Sequence, residues 1–186
     1  MLANVARSMA ENWHIWLVSV TLVVAALIDG LKLKVPNWIT FPMIISGWLY
    51  SGLWFGWEGL GWSLVGTVVG LGLLLPAYAI GGMGAGDVKL LAGVGAWIGP
   101  TMTFHAFCVS AILGGLMAVA MVLWRRKWGR HQAQFWAILT EIMLIRDPSQ
   151  LSAMAAQRKG QMMLLPYGIP IAIGTIGYFA WMGMLL

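Results

Sequence analysis

The sequence contains very little charge. Only 9% of its 186 residues are Asp, Glu, Lys or Arg, whereas 60% are hydrophobic. Soluble domains carry about 25% charged residues, so a water-soluble fold of this chain would lack a polar surface. A bilayer removes that difficulty because side chains that face lipid are apolar, and the composition therefore predicts a membrane protein. The length allows one membrane domain, which we place at residues 1–186.

Residues that build disulfides, metal sites and nucleophilic triads are also scarce. The one cysteine, Cys108, excludes an internal disulfide and a four-cysteine zinc site. The histidines, His14, His105 and His131, lie far apart and have no helix-spaced partner. No nucleophile-elbow pattern supports a Ser–His–Asp triad. We therefore expect neither a metal nor a cofactor.

Long apolar stretches dominate what is present. Five of them have roughly the 20 residues that a membrane-spanning helix needs. A sixth, 88–99, is short and joins the next stretch through Gly99-Pro100, a pair that favours a turn. We interpret 88–124 as a helical hairpin, because one continuous span would be much longer than the hydrocarbon is thick; the alternative is a single kinked helix. The predicted fold class is an all-α polytopic membrane protein with about six transmembrane helices, the longer stretches being 13–31, 38–55, 60–80, 101–124 and 164–186.

The basic residues give this topology an orientation. All of them except Arg7 fall on one side, and the positive-inside rule makes that side cytoplasmic. We therefore expect a multi-pass protein of the inner (plasma) membrane, with both termini extracytoplasmic and with Asp29 and Asp87 near the cytoplasmic face. The net charge of +5 is explained by these topology signals, so we expect no nucleic-acid partner.

The connection 125–163 is the only sizeable polar segment. Several of its apolar residues recur at helical spacing, which predicts an amphipathic helix on the cytoplasmic side. Such a helix lies either on the inner leaflet or on the protein's own surface. The residues that carry the pattern are Phe135, Ile138, Leu139, Ile142 and Ile145.

Two of the six acidic residues lie at the ends of apolar stretches, Asp29 after 25–28 and Asp87 before Val88. A carboxylate at membrane depth is costly, and it is therefore a candidate for function. Each residue also has a structural interpretation. Asp29 is then a helix-end acid paired with Lys32 or Lys34, and Asp87 is the N-cap of the following helix.

Taken together, Asp29 and Asp87 support a specific chemistry, because the topology brings both to one face of the bilayer. Two close carboxylates do not both ionise easily, so one keeps a proton near neutral pH. The ionised carboxylate takes a proton from water and the protonated one binds the scissile carbonyl. This is the arrangement of aspartic proteases, and it needs no metal.

A glycine-rich segment, 81–86, precedes Asp87. Its permissive backbone allows an extended peptide to approach the carboxylate closely. Phosphate binding is disfavoured because the acid would repel it and the Walker spacing is missing. The candidates for substrate binding are Gly84, Gly86 and Lys89; Lys89 either contacts an acidic residue of the substrate or marks the cytoplasmic edge of the membrane.

Three segments in order give the chain a family resemblance. The segment 84–89, Gly-Ala-Gly-Asp-Val-Lys, resembles the GxGD signature of membrane aspartyl proteases in its prepilin peptidase form. Asp29 followed by 35–42, Val-Pro-Asn-Trp-Ile-Thr-Phe-Pro, is similar to the segment that carries the first acid of that family. The segment 165–170, Leu-Pro-Tyr-Gly-Ile-Pro, resembles its closing motif. The chain thus resembles the type IV prepilin peptidases over nearly its whole length.

The resemblance implies a six-helix membrane enzyme that cleaves the short leader of type IV prepilins at the cytoplasmic face. It implies that Asp29 and Asp87 are the catalytic pair and that the substrate's hydrophobic helix lies in the bilayer beside the enzyme. The large members carry an extra domain with two CxxC pairs that is linked to N-methylation. This chain is more similar to the short form found with Flp/Tad-type pili or with archaeal preflagellin systems, so we expect no methyltransferase activity.

Two other interpretations remain open on the residues alone. A small transporter would also place acids in the membrane, with Asp29 and Asp87 as a proton or cation site. A pilus-assembly scaffold with inactive site geometry is the third. Substitution of either aspartate by Asn, assayed with a prepilin, distinguishes the enzyme from the transporter, and the scaffold stands only if the wild type also fails to cleave.

Overall fold

The computed structural model describes residues 11–79, 82–124 and 166–185, and within these ranges all regular structure is helical. Four helices follow in chain order. They are α1 (Trp13–Lys32), α2 (Asn37–Ala79), α3 (Ala85–Trp124) and α4 (Gly168–Trp181). The all-α fold class is confirmed for the described residues, and the predicted connection 125–163 lies outside them.

Three of these helices are long and apolar enough to cross a membrane. They are α1, α2 and the part of α3 from Ala85 to Met121. Helix α4 is apolar but shorter. The described part of the chain thus has three helices that could span a membrane, as predicted, while the predicted number of about six spans is not shown by it.

Helix α2 is interrupted at Gly56, whose φ of 65° and ψ of −153° are not helical. The indole Nε1 of Trp48, before the break, donates a hydrogen bond of 2.9 Å to Oγ1 of Thr67, after it. A straight helix would hold these positions about 28 Å apart at about 1.5 Å per residue. The two arms of α2 therefore fold back on each other, which explains why the sequence shows separate apolar stretches at 38–55 and 60–80.

Helix α3 is interrupted at Gly99, where φ is 75° and ψ is 176°, and Pro100 follows. A positive φ suits glycine, which has no Cβ. The phenol oxygen of Tyr167 lies 3.0 Å from the place of a Cβ on Gly114. Tyr167 is also close enough to Asp87 to interact with the charge of its carboxylate. A straight helix would hold Asp87 and Gly114 about 40 Å apart. The predicted hairpin is confirmed, and the alternative of one kinked helix is wrong.

Helices α2 and α3 approach each other through glycine. A Cβ on Gly70 would lie 2.5 Å from the carbonyl oxygen of Leu91, and Gly66 and Gly95 face each other backbone to backbone. Small residues at such crossings let helix backbones come close. The indole of Trp97 adds a hydrogen bond of 2.9 Å to the carbonyl of Met43. This packing holds the first arm of α3 against both arms of α2.

Candidate active site

The candidate catalytic acids lie where the ends of four helices meet. Asp29 is in the last turn of α1 and Asp87 is in the first turn of α3. The start of α4 contacts Asp29, and the start of α2 contacts the residues on either side of Asp87. Both aspartates are buried, with 2% of Asp29 and 4% of Asp87 exposed.

Asp29 is oriented by the start of α4. Its Oδ2 accepts a hydrogen bond of 2.8 Å from the backbone N–H of Gly168. A Cβ on residue 168 would lie 3.0 Å from both Cβ and Oδ2 of Asp29, so glycine permits this approach. In the described residues no ion pair joins Asp29 to Lys32 or Lys34, and the interpretation of Asp29 as the acid of a helix-end ion pair is wrong.

The chain leaves α1 immediately after Asp29. Leu33 has a left-handed backbone (φ 52°, ψ 36°), and its N–H donates to the carbonyl of Asp29 at 2.7 Å. This is the usual way in which a helix satisfies a terminal carbonyl and turns sharply. After the turn, residues 35–37, which begin the segment 35–42 of the family resemblance, contact the start of α3 next to Asp87.

Asp87 occupies the third position of α3 rather than its N-cap. Its Oδ2 accepts the backbone N–H of Gly84 at 3.1 Å, and its own N–H donates to the carbonyl of Gly84 at 3.2 Å. A carboxylate at the third position of a helix that accepts the backbone N–H of the N-cap residue, here Gly84, forms half of a capping box. The N-cap interpretation is corrected accordingly, and the glycine-rich segment is what places the N–H next to the acid.

Gly86 and Lys89 connect the start of α3 to the start of α2. A Cβ on Gly86 would lie 2.5 Å from the carbonyl oxygen of Val35, so backbone meets backbone there. The Nζ of Lys89 donates to Oδ1 of Asn37 at 3.1 Å and lies 4.7 Å from the centre of the Phe41 ring. Two of the three residues proposed from the sequence for substrate binding, Gly86 and Lys89, thus have partners in the segment after Asp29, and the third, Gly84, donates its N–H to Asp87.

Tyr167 is a neighbour of the candidate site that the sequence analysis did not single out. It is half-buried, and its phenol lies close enough to Asp87 to interact with the charge of that carboxylate. Tyr167 precedes Gly168, so two consecutive residues at the start of α4 reach the surroundings of both acids. The Pro-Tyr-Gly motif was the available signal, but the motif alone does not say which atoms it contacts.

The site supports hydrolysis by two carboxylic acids. Asp29 and Asp87 come from different helices, both are withdrawn from the surface, and each accepts one backbone N–H from a glycine. Such hydrogen bonds favour the ionised form, whereas burial favours the protonated one. Within the described residues no group of three or more His, Cys, Asp or Glu side chains is arranged to hold a metal ion.

Comparisons with known proteins place this geometry in context. The family model of the type IV leader peptidase family matches residues 16–119, which include both aspartates. A prepilin leader peptidase/N-methyltransferase of Aeromonas hydrophila is 31% identical over 140 residues, which cover 70% of this chain and 47% of that protein. A protein of the same name from Bacillus subtilis is 33% identical over 121 residues, which cover 61% of this chain and 46% of that protein.

A third relative with this name, from Neisseria gonorrhoeae, is 34% identical over 113 residues, or 57% of this chain and 38% of that protein. The chain thus spans about half the length of the curated relatives it matches. No solved structure matches the chain.

Proposed function

The chain belongs to the type IV leader peptidase family, and we propose that it is a membrane aspartyl endopeptidase that removes the short leader of Flp-like type IV prepilins. The proposal is supported mainly by two buried acids, Asp29 and Asp87, that both lie near two consecutive residues at the start of α4. Gly168 donates to Asp29, and Tyr167 lies within electrostatic reach of Asp87. In this proposal the start of α4 brings together two acids that are remote along the chain.

The proposed reaction is a direct hydrolysis. One aspartate, ionised, removes a proton from a water molecule, and the water oxygen bonds to the scissile carbonyl carbon. The other aspartate, protonated, hydrogen-bonds the carbonyl oxygen, which becomes the hydroxyl of a tetrahedral intermediate. The C–N bond then breaks and the leaving amine takes a proton from the pair, while a hydroxyl of the intermediate returns a proton to the pair as the carboxyl group of the product forms. Asp29 and Asp87 share one proton throughout, and the reaction needs no cofactor.

The proposed topology places this reaction at the cytoplasmic face of the inner membrane. The breaks at Gly56 and Gly99 divide α2 and α3 into two arms each. With α1 and the segment of α4, the arms supply six spans and leave both termini extracytoplasmic. Lys32, Lys34 and Lys89 then lie on the cytoplasmic side, as the positive-inside rule requires. The substrate is a prepilin whose own hydrophobic helix lies in the bilayer.

The test is cleavage by the purified protein in liposomes. A Flp-type prepilin is reconstituted with the enzyme, and mass spectrometry identifies the two products. We expect a single cut at the end of the leader, at the same rate with and without a metal chelator. Absence of cleavage would favour a transporter or a scaffold, and chelator-sensitive cleavage would contradict the two-aspartate mechanism.

A further inference from the structure

An apolar groove runs between α1 and α4 and ends at the candidate active site. Its volume is about 730 Å³, and all the residues that line it are aliphatic or glycine. On α1 it extends from Val23 to Leu31, and on α4 from Ile169 to Gly177. Since neither wall contributes a hydroxyl or a charge, the groove suits an apolar occupant within the bilayer.

We propose that this groove binds the first turns of the substrate's apolar helix, immediately after the bond that is cleaved. The inference rests on the proposed function, because it requires a substrate that enters the membrane next to the scissile bond. It adds a second recognition surface, remote from the carboxylates, to the site described above.

The position of the groove favours this occupant. Gly30 and Ile169 form its end, and the side-chain Cδ1 of Ile169 lies 3.4 Å from the place of a Cβ on Gly30. The residues that precede them in sequence are Asp29 and Gly168, which are joined by the hydrogen bond of 2.8 Å. A helix that lies in the groove therefore leads directly to the Asp29 carboxylate.

The shape of the groove explains why a helix would prefer it to lipid. Apolar surface alone gives no driving force in a bilayer, since lipid chains are equally apolar; close packing does. Small residues contribute to both walls, Ala26 and Gly30 on α1 and Ala172 and Gly177 on α4, and they leave room beside the large side chains of Leu27, which is 63% exposed, and Ile173, which is 58% exposed. From Val23 to Leu31 the groove covers about 12 Å, which is roughly two turns of a seated helix.

Gly177 offers a direct test, because it lines the groove and a Cβ there would meet nothing within 4 Å. Gly177→Leu fills the groove about 13 Å along α4 from Gly168. We expect KM for a full-length prepilin to rise about tenfold. Cleavage of a short peptide that contains the leader and the scissile bond, but no apolar helix, should be unchanged.

Gly115→Leu is the matched control. Gly115 is also an exposed helical glycine with open space at its Cβ, but it lies on α3 away from the groove. This variant should keep the wild-type KM for both substrates. Equal effects of the two variants, or an equal loss on the short peptide, would overturn the inference.

Photo-crosslinking identifies the occupant. A benzophenone amino acid replaces Leu27 in the groove or Leu116 on α3, two positions that are each 63% exposed. We expect prepilin adducts from position 27 and none above background from position 116. Adducts from position 27 that contain only lipid, or only residues 126–165 of the same chain, would overturn the inference.

The two proposals fail in different ways. If the unmodified enzyme does not cleave prepilin in liposomes, the proposed function fails. If it cleaves prepilin but Gly177→Leu leaves KM unchanged, the proposed function stands and the assignment of the groove fails.

Discussion

The backbone N–H of Gly168 donates a hydrogen bond to Oδ2 of Asp29 at 2.8 Å, across 139 residues of sequence. The contact depends on the missing side chain, since a Cβ on residue 168 would lie 3.0 Å from the same carboxylate. The preceding residue, Tyr167, lies within electrostatic reach of Asp87. Residues 167 and 168 are therefore placed to position Asp29 and Asp87 relative to each other. A reaction that uses two carboxylates requires such positioning.

Replacement of Asp29 or Asp87 by Asn should abolish leader cleavage. Asn preserves the size of the side chain but neither accepts a proton from water nor shares one, and loss of a general acid or base costs about 10²- to 10⁴-fold in rate. The measurement is single-turnover cleavage of prepilin in liposomes. Glu58→Gln, which changes an exposed acid beside the break in α2, should keep the wild-type rate. Normal processing by either Asn variant would rule out the paired mechanism.

Gly168→Ala should reduce kcat while leaving the fold intact. The added methyl group would press on Cβ and Oδ2 of Asp29 at 3.0 Å, so the carboxylate must move by a few tenths of an ångström. Misplacement of a catalytic group on this scale costs about tenfold or more. We expect kcat to fall by that factor and the melting temperature in detergent to change little.

Gly115→Ala is the control for this substitution, because a Cβ at that helical position meets nothing within 4 Å. It should be as active as the wild type. If Gly168→Ala retained full activity, the position of Asp29 would have to be set by contacts other than the start of α4.

The features that the sequence predicts correctly are local ones. The break at Gly99 follows from a Gly-Pro pair inside an apolar run too long for one span. The withdrawal of Asp29 and Asp87 from the surface follows from their place at the ends of apolar stretches. In each case neighbouring residues carry the information.

The features that the sequence does not predict depend on how helices pack. The hydrogen bond from Gly168 to Asp29 requires α1 and α4 to meet at their ends, and no local pattern specifies that. Lys89 was given two interpretations, substrate contact or membrane edge, whereas the structure pairs it with Asn37. The close backbone contact between Gly66 and Gly95 is of the same kind, since it also joins residues far apart in the chain.

Gly86→Ala should destabilise the protein. A Cβ there would lie 2.5 Å from the carbonyl oxygen of Val35 and 3.0 Å from its Cβ, so the α2 and α3 starts would have to separate. Overpacking of this kind costs about 1–3 kcal/mol. We expect a lower melting temperature in detergent together with lower activity, because Asp87 is the next residue.

Gly72→Ala is the same chemical change, but we expect it not to destabilise the protein. Gly72 is helical with open space at its Cβ, so alanine should be neutral or stabilising by about 0.5–1 kcal/mol. A Gly86→Ala variant as stable as Gly72→Ala would contradict the close backbone contact with Val35.

Lys89 should act by positioning the segment after Asp29. Its Nζ donates to Oδ1 of Asn37 at 3.1 Å, which ties α3 to the start of α2. Lys89→Met removes the donor and keeps most of the aliphatic stem. We expect a loss of about 0.5–1 kcal/mol in unfolding free energy, typical of one hydrogen bond, and a several-fold fall in kcat.

A double-mutant cycle with Asn37→Ala separates this role from substrate binding. If the two side chains act through their hydrogen bond, the second substitution adds little to the first, in both stability and kcat. Fully additive effects, or an effect of Lys89→Met confined to KM, would instead indicate direct contact between Lys89 and the substrate.

Cysteine labelling should show Lys34 and Glu58 on opposite sides of the membrane. The first arm of α2, from Asn37 to the break at Gly56, is about 29 Å long at about 1.5 Å per residue, which matches a hydrocarbon core of about 30 Å. Single cysteines at these two exposed positions are made in a Cys108→Ser background and treated with a membrane-impermeant maleimide. In intact spheroplasts we expect Glu58→Cys to react and Lys34→Cys to react only after permeabilisation. Lys34 is only five residues after Asp29, so protection of position 34 would also place the candidate catalytic acid at the cytoplasmic face. Labelling of both positions from outside would contradict both the proposed topology and the proposed site of cleavage.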